Sequence, residues 1–233
     1  MQYTTAMAKG SYEIEIKSLL GTEENAQRFK HDLAKRYGDR LRYTSFSKQL
    51  NHYFEGGKLE KLAALVAAHL ALAARKQLKQ IAAKAQSVSV RTRLINDEVR
   101  LVIKASLGTD SSANGVARME FEEPVKLTLP ELDKILLKAG FKYQAKWSRV
   151  REEFEVEGIS VCLDKNAGYG HLIEFERVIG DTAGVKSATI DLKKFMRSLG
   201  AVEIAQDLLE RMFAYYNKHW PKYYGTDNVF TIK

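Results

Sequence analysis

The sequence predicts an α+β fold. It is a closed antiparallel β-barrel with a charged interior, helices packed outside and one long helical insertion. Three observations predict it. The elements run strand, helix, strand, long helix, then a succession of strands with helices between and two helices at the end, an order that suits antiparallel pairing rather than a parallel doubly wound sheet. At least six strands carry charges at every second position with apolar residues between, so each has one charged and one apolar face. The helices need apolar sheet surface to pack on, which turns the charged faces inward. Closing the sheet removes its edges and encloses those faces in one lumen.

Each element has its own local reason. Residues 12–19 alternate and read as a strand. A helix follows over 22–37, with Thr22 as N-cap and Gly38 at its end. Residues 43–55 form a second strand closed by Gly56-Gly57. Residues 58–86, rich in Ala, Leu, Lys and Gln, read as one long helix. Strands are expected over 87–94, 99–105 and 115–125, with the Gly/Ser/Asn/Asp-rich stretch 108–114 as a loop. Thr128-Leu-Pro-Glu131 is a capping box opening a helix that Gly140 ends. Strands 144–156, 159–164 and 172–178 come next, then helices over 189–199 and 203–220. The domain expectation is one unit over 1–233, with a helical insertion at 58–86 and a C-terminal helical segment at 187–233.

Composition narrows the classes. The chain has 233 residues, 45% hydrophobic and 28% charged, as in ordinary soluble globular proteins. Its 1 cysteine excludes an intrachain disulfide and any Cys-rich zinc or iron–sulfur site. No apolar run approaches the roughly 18 residues of a membrane span, and the N-terminus lacks a signal-peptide layout. A cytoplasmic protein with no membrane partner is expected. The net charge of +8 favours polyanionic partners. No P-loop and no H-E-x-x-H occur. His52 and His171 read as structural histidines, and Cys162 as a packed thiol.

The charged faces carry the chemistry. Glu13, Glu15 and Lys17 share a face, as do Arg91 and Arg93. Arg100 and Lys104 share one, as do Arg118, Glu120 and Glu122, Arg149 and Arg151, and Glu174 and Glu176. One charged face is an ordinary solvated surface. A set of six under helices is not, and enclosed charges need partners, ligands or metals. Arg forks suit phosphate oxygens, and carboxylates suit Mg²⁺ or Mn²⁺. So many cations fit a triphosphate or a longer chain better than one phosphate.

The pattern resembles the CYTH family, also called triphosphate tunnel metalloenzymes. Glu13-Ile-Glu15-Ile-Lys17 is similar to the family's E-x-E-x-K signature, and Val90-Arg-Thr-Arg93 to its R-x-R strand. Lys104, Arg118-Met-Glu120-Phe-Glu122, Arg149-Val-Arg151 with Phe154, and Leu163-Asp164…Gly168-Tyr-Gly170…Glu174-Phe-Glu176 continue the likeness in order. It runs over residues 11–178. The resemblance implies an eight-stranded antiparallel tunnel that binds triphosphate with Mg²⁺ or Mn²⁺. By position it implies Glu13, Glu15, Glu120, Glu122, Glu174 and Glu176 as metal ligands. Lys17, Arg91, Arg93, Lys104, Arg118, Arg149 and Arg151 would hold the triphosphate, with Lys165 and Lys146 as weaker candidates because the faces they take are less clear from the sequence. Glu13, Glu15, Lys17 and Asp164 would serve catalysis.

The family includes class IV adenylate cyclases, thiamine triphosphatases, inorganic tripolyphosphatases and RNA 5′-triphosphatases. Hydrolysis of the terminal phosphate of tripolyphosphate, thiamine triphosphate or a nucleoside triphosphate is the expected activity, because it demands least of the site. The alternatives are conversion of ATP to cyclic AMP and pyrophosphate, and a non-catalytic nucleotide or triphosphate sensor. The expected partner is a small-molecule triphosphate or nucleotide, with an RNA 5′-triphosphate end as the one nucleic-acid option, on a monomer or homodimer. The long helix after Gly57 departs from the many members that have a short connection there. The aromatic stretch 215–224 either plugs the tunnel or simply packs.

Overall fold

The computed structural model describes residues 12–85, 87–106, 119–180 and 183–232, leaving aside the side chains of residues 12, 106, 119 and 120. Eight strands form one sheet: β1 (Tyr12–Gly21), β2 (Arg42–Gly56), β3 (Ser87–Ile95), β4 (Glu98–Ser106), β5 (Met119–Pro124), β6 (Phe141–Val156), β7 (Ile159–Asn166) and β8 (Gly170–Ile179). Their spatial order is β1-β8-β7-β6-β2-β3-β4-β5, and every neighbouring pair is antiparallel. Six helices accompany them: α1 (Glu23–Tyr37), α2 (Leu59–Val66), α3 (Leu72–Lys84), α4 (Leu129–Lys138), α5 (Val185–Ser198) and α6 (Gln206–His219).

The expected closed barrel is corrected in one respect. Among the described residues, no backbone ladder joins the edge strands β1 and β5. Short β5 pairs with β4 and ends at Pro124, which has no N–H to donate. The sheet nonetheless curls. In a flat sheet, β1 and β4 would lie six strand spacings apart, roughly 28 Å. Instead Lys104 Nζ on β4 sits 2.8 Å from Glu13 Oε2 and 3.5 Å from Glu15 on β1. Side chains, not a ladder, bring the two edges together.

The long helix expected over 58–86 is also corrected. It is two helices, α2 and α3, separated by a 3₁₀ turn at Ala67–His69 and by extended backbone at Leu70 and Ala71. The apolar spacing explains the break. Leu62, Val66, Leu70, Ala74 and Leu78 are all buried and recur every four residues. Each such step rotates a straight helix about 40° past a full turn, so Leu78 would face roughly 160° away from Leu62. Breaking the helix lets both halves face one core. The N-terminal signals at α1 and α4 behave as expected. Thr22 Oγ1 accepts from Asn25 N–H at 3.2 Å, and Glu131 Oε2 accepts from Thr128 N–H at 2.8 Å.

Two apolar cores lie on the outer face. α2, α3 and α4 pack Leu62, Val66, Leu78, Leu132 and Leu136 onto Val90, Leu101, Ile103 and Phe121. α1 and α5 pack Phe29, Leu33, Leu192 and Phe195 onto Ile14, Ile16, Ile173 and Phe175. The helices thus cover the apolar faces, and the charged faces look inward. A third cluster joins α6 to inner-face residues Trp147 and Leu172. Trp147 stacks on Tyr216 with ring centres 3.6 Å apart, and Tyr216 Oη donates to the Lys146 carbonyl at 2.8 Å. The aromatic C-terminal stretch therefore packs onto part of the inner face.

Candidate active site

Antiparallel register assembles the site. Glu15 on β1 lies opposite Glu176 on β8, and Lys17 opposite Glu174. Carboxylate oxygens of Glu13, Glu15 and Glu176 converge within 4.8 Å of one another. All three side chains are mostly enclosed, with 12–18% exposure. Burial, reinforced by the charge on Glu13, pushes the Glu176 carboxyl up to about 8, against the pull of Arg151. Three crowded carboxylates repel one another, and a divalent cation relieves that repulsion. Opposite ligands on an octahedral Mg²⁺ are roughly 4.2 Å apart, so these oxygens need little movement to hold Mg²⁺ or Mn²⁺.

The other expected ligands are differently engaged. Glu174 pairs with Arg151, with Lys17 at 3.2 Å and with Arg149 at 3.5 Å. Burial raises its carboxyl, but Lys17 and Arg151 prevail and hold it well below the ordinary carboxylate range. Glu122 accepts from Arg93 at 2.8 Å and lies 3.5 Å from Arg100. Burial opposes its ionisation, yet these arginines hold its carboxyl below the usual value. Both glutamates therefore serve ion pairs and stand outside the convergent trio.

Asp164 is completely buried. It accepts from Arg151 Nε and Nη2 at 2.7 Å each and from Arg149 Nη1 at 3.0 Å. It thereby fixes the two guanidinium groups relative to each other. Lys17 also pairs with Glu15.

Four further inward residues escaped a search for charges or were not singled out as ligands. Gln49 Oε1 accepts from Arg149 Nε at 2.7 Å, and Asn51 Oδ1 from Arg93 Nε at 2.7 Å. Tyr53 Oη accepts from Arg91 Nη1 at 2.7 Å. Arg100 shares the inner face with Lys104 and reaches Glu122. Alternation along β2 was the signal, because residues 45, 47, 49, 51 and 53 are all polar and share one parity.

Lys165 is a correction. It follows Asp164 on β7, so its side chain takes the outer face, where it is 44% exposed and pairs with Asp227 at 2.8 Å. Lys146 likewise turns outward, 4.4 Å from the Tyr143 ring centre and 5.8 Å from that of Trp220. Glu120 occupies β5 opposite Lys104 in register, but its side chain lies outside the described residues, as does all of Arg118.

The remaining singled-out groups stand outside the acidic trio. His52 Nδ1 lies 2.7 Å from Asp133, and Nε2 lies 3.0 Å from Tyr224 Oη. Asp133 also accepts from Thr92 at 2.6 Å and from Tyr143 at 2.7 Å. Burial lowers the partly enclosed His171 below its ordinary value. Cys162 is buried, and burial keeps its thiol protonated.

Residues 11–207 match the family model described as the CYTH domain. A conserved hypothetical protein from Pyrococcus furiosus is similar in structure, with a TM-score of 0.59 at 18% identity over 85% of this chain and 98% of its own. A Pyrococcus horikoshii protein has a TM-score of 0.58 at 20% identity over 86% of this chain and 99% of its own. A candidate adenylate cyclase from Vibrio parahaemolyticus has a TM-score of 0.57 at 13% identity over 87% of this chain and 99% of its own. At such identities these likenesses speak to the fold. No curated protein sequence matches. Among the described residues, no helix is long and apolar enough to cross a membrane. With the family match spanning most of the sequence, the chain belongs to the CYTH family.

Proposed function

We propose that this protein hydrolyses the terminal phosphate of a triphosphate, with Mg²⁺ or Mn²⁺ held by Glu13, Glu15 and Glu176. One observation carries the reading. A single enclosed face combines three convergent carboxylates with Arg91, Arg93, Arg149, Arg151, Lys17 and Lys104. That arrangement suits a polyanion bridged to a divalent cation. When bound, the ion supplies charge neutralisation at phosphoryl oxygens and lowers the pKa of coordinated water.

The chain's own residues do the rest by position. Arg149 and Arg151, locked on Asp164, present fixed N–H groups to phosphate oxygens. Lys104 beside Glu13, and Lys17 between Glu15 and Glu174, keep the acidic wall from repelling the incoming anion. Catalysis of this kind rests on positioning and preorganised charge rather than on a protein nucleophile. Hydrolysis needs the triphosphate to be held and a water, which a bound metal would activate, to attack its terminal phosphorus; it needs no pocket for a base and sugar.

The test is a product assay with tripolyphosphate, thiamine triphosphate and ATP, each with Mg²⁺ or Mn²⁺. A Glu13→Ala/Glu15→Ala double variant is the control. Phosphate release that the control abolishes supports the proposal, and the fastest substrate names the class. Cyclic AMP with pyrophosphate from ATP would replace hydrolysis by cyclisation. Metal-dependent binding without turnover would make the protein a sensor.

A further inference from the structure

Strand β2 lies between β6 and β3, in the middle of the sheet. From residue 45 to residue 53 its inward face carries no charge: Ser45, Ser47, Gln49, Asn51 and Tyr53. Yet each of the last three of these stands directly across from an arginine. Gln49 is the register partner of Arg149, Asn51 of Arg93 and Tyr53 of Arg91. Each pair is closed by one hydrogen bond of 2.7 Å from the guanidinium to the β2 side chain. Gln49 is itself fixed by donating from Nε2 to Ser47 Oγ at 2.9 Å.

The chemistry of these partners matters. A carboxylate would fix an arginine and also cancel its charge. An amide or phenol oxygen fixes the fork and leaves the charge for a ligand. The four arginines form a graded series in this respect. Arg151 faces Asp164 and Glu174, Arg149 shares Asp164 and adds Gln49, and Arg93 has Asn51 and Glu122.

Arg91 stands at the end of that series. Among the described residues its one hydrogen-bond partner is neutral Tyr53, whose ring centre lies 4.8 Å from the guanidinium. The residue is 8% exposed, and its buried Nε has no hydrogen-bond partner. Among the described residues no carboxylate is in ion-pair contact with it, although Glu122 is near enough for the Arg91 charge to lower its carboxyl; an enclosed guanidinium without a direct ion pair is costly, and an unfilled buried donor is where a ligand acceptor belongs.

We propose that Gln49, Asn51 and Tyr53 are positioning residues of the polyphosphate site, and that Arg91, presented by Tyr53 with its Nε unfilled and no carboxylate in direct contact among the described residues, is the arginine most available to the anion. The proposal rests on the reading of this face as a triphosphate site. It adds which arginine dominates anion affinity and what holds it.

The probe is inorganic tripolyphosphate with Mg²⁺, followed by titration calorimetry on the full chain. Tyr53→Phe keeps the ring against the guanidinium and removes only the hydroxyl. Its dissociation constant should rise about tenfold or more, as expected for losing a hydrogen bond to a charged group. Arg91→Ala should raise it further, and adding Tyr53→Phe to Arg91→Ala should change nothing more, because Tyr53 acts through Arg91. Asn51→Ala, alone and on Arg93→Ala, repeats the cycle at a second pair. In turnover, Tyr53→Phe should move KM far more than kcat, a split that a loss of general rigidity would not produce.

Wild-type affinity in Tyr53→Phe, or an undiminished effect of Tyr53→Phe on the Arg91→Ala background, would overturn the proposal. Failure of the wild type itself to bind tripolyphosphate would instead overturn the reading of the site, and this proposal with it.

Discussion

Glu176 offers the sharpest test of the acidic cluster. Its carboxyl is pushed from 4.5 up to about 8, by burial first and Glu13 second. A folded-state pKa above the unfolded one means that the native state holds its proton more tightly. The associated stability is fully present below pH 4.5 and is lost as pH rises through about 8. The full span corresponds to about 5 kcal/mol at roughly 1.4 kcal/mol per unit. Residual hydration of a carboxyl with 17% exposure, and the nearby Arg151 guanidinium, reduce this to roughly 2 kcal/mol. For a chain of this size that is about 4–8 °C in Tm.

Glu176→Gln copies the protonated form at every pH. In metal-free buffer with chelator, thermal unfolding of variant and wild type should coincide near pH 4.5, and the variant should melt about 4–8 °C higher by pH 8 and above. Saturating Mg²⁺ should reverse the order at pH 8, because the ion takes the place of the proton in the wild type alone. A variant-minus-wild-type difference that stays flat with pH, or falls as pH rises, would refute the argument. It would mean that the three carboxylates do not share one electrostatic site.

Three other predictions follow from the same geometry. Asp164→Asn leaves two arginines short of a buried carboxylate and should cost about 3 kcal/mol, measured by denaturant unfolding; added tripolyphosphate should raise the variant's Tm more than the wild type's. Lys165→Ala should leave tripolyphosphate affinity within twofold of wild type by calorimetry, because its ammonium faces outward to Asp227, whereas Arg149→Ala should weaken it at least tenfold, the usual scale for a charge-assisted contact. Mg²⁺ should tighten tripolyphosphate binding, and tripolyphosphate should tighten Mg²⁺ binding by the same factor; calorimetric titrations run in both orders check the equality.

Much of this arrangement is legible in the sequence because strand geometry is a parity rule. Knowing that Glu13 and Glu15 flank Ile14 places all three without any tertiary information. The same rule places Lys165 outward once Asp164 is inward, and reading it as a ligand set aside the alternation that identified the other residues. Which carboxylates converge is a different kind of fact. Glu174 and Glu176 are equivalent on β8, yet register sets Glu174 opposite Lys17 and within reach of Arg151, while Glu176 falls opposite Glu15. Register between strands more than a hundred residues apart depends on the whole sheet. The break between α2 and α3 was present in the four-residue spacing of Leu62 to Leu78, but helix-forming composition masked it. The role of β2 was hidden because neutral side chains do not stand out in a search for charge.

The distribution of charge explains why such an interior can be enclosed at all. The wall formed by β1 and β8 contributes Glu13, Glu15, Glu174 and Glu176 against Lys17 alone. Among the described side chains, the wall from β3 and β4 contributes Arg91, Arg93, Arg100 and Lys104 as strand cations, with Glu122 entering from β5. Part of the difference is settled internally, by Lys104 on Glu13 and by Arg151 on Glu174. What is left has opposite sign on the two sides: crowded carboxylates at Glu13, Glu15 and Glu176, and an arginine at residue 91 paired with a phenol. A cation alone would neutralise one wall and a polyanion alone the other. A metal–polyphosphate pair matches both residues of charge at once and brings its own internal attraction into a space of low dielectric. On the proposed function, the internal imbalance that costs the protein stability is the same imbalance that would favour a polyphosphate accompanied by its metal.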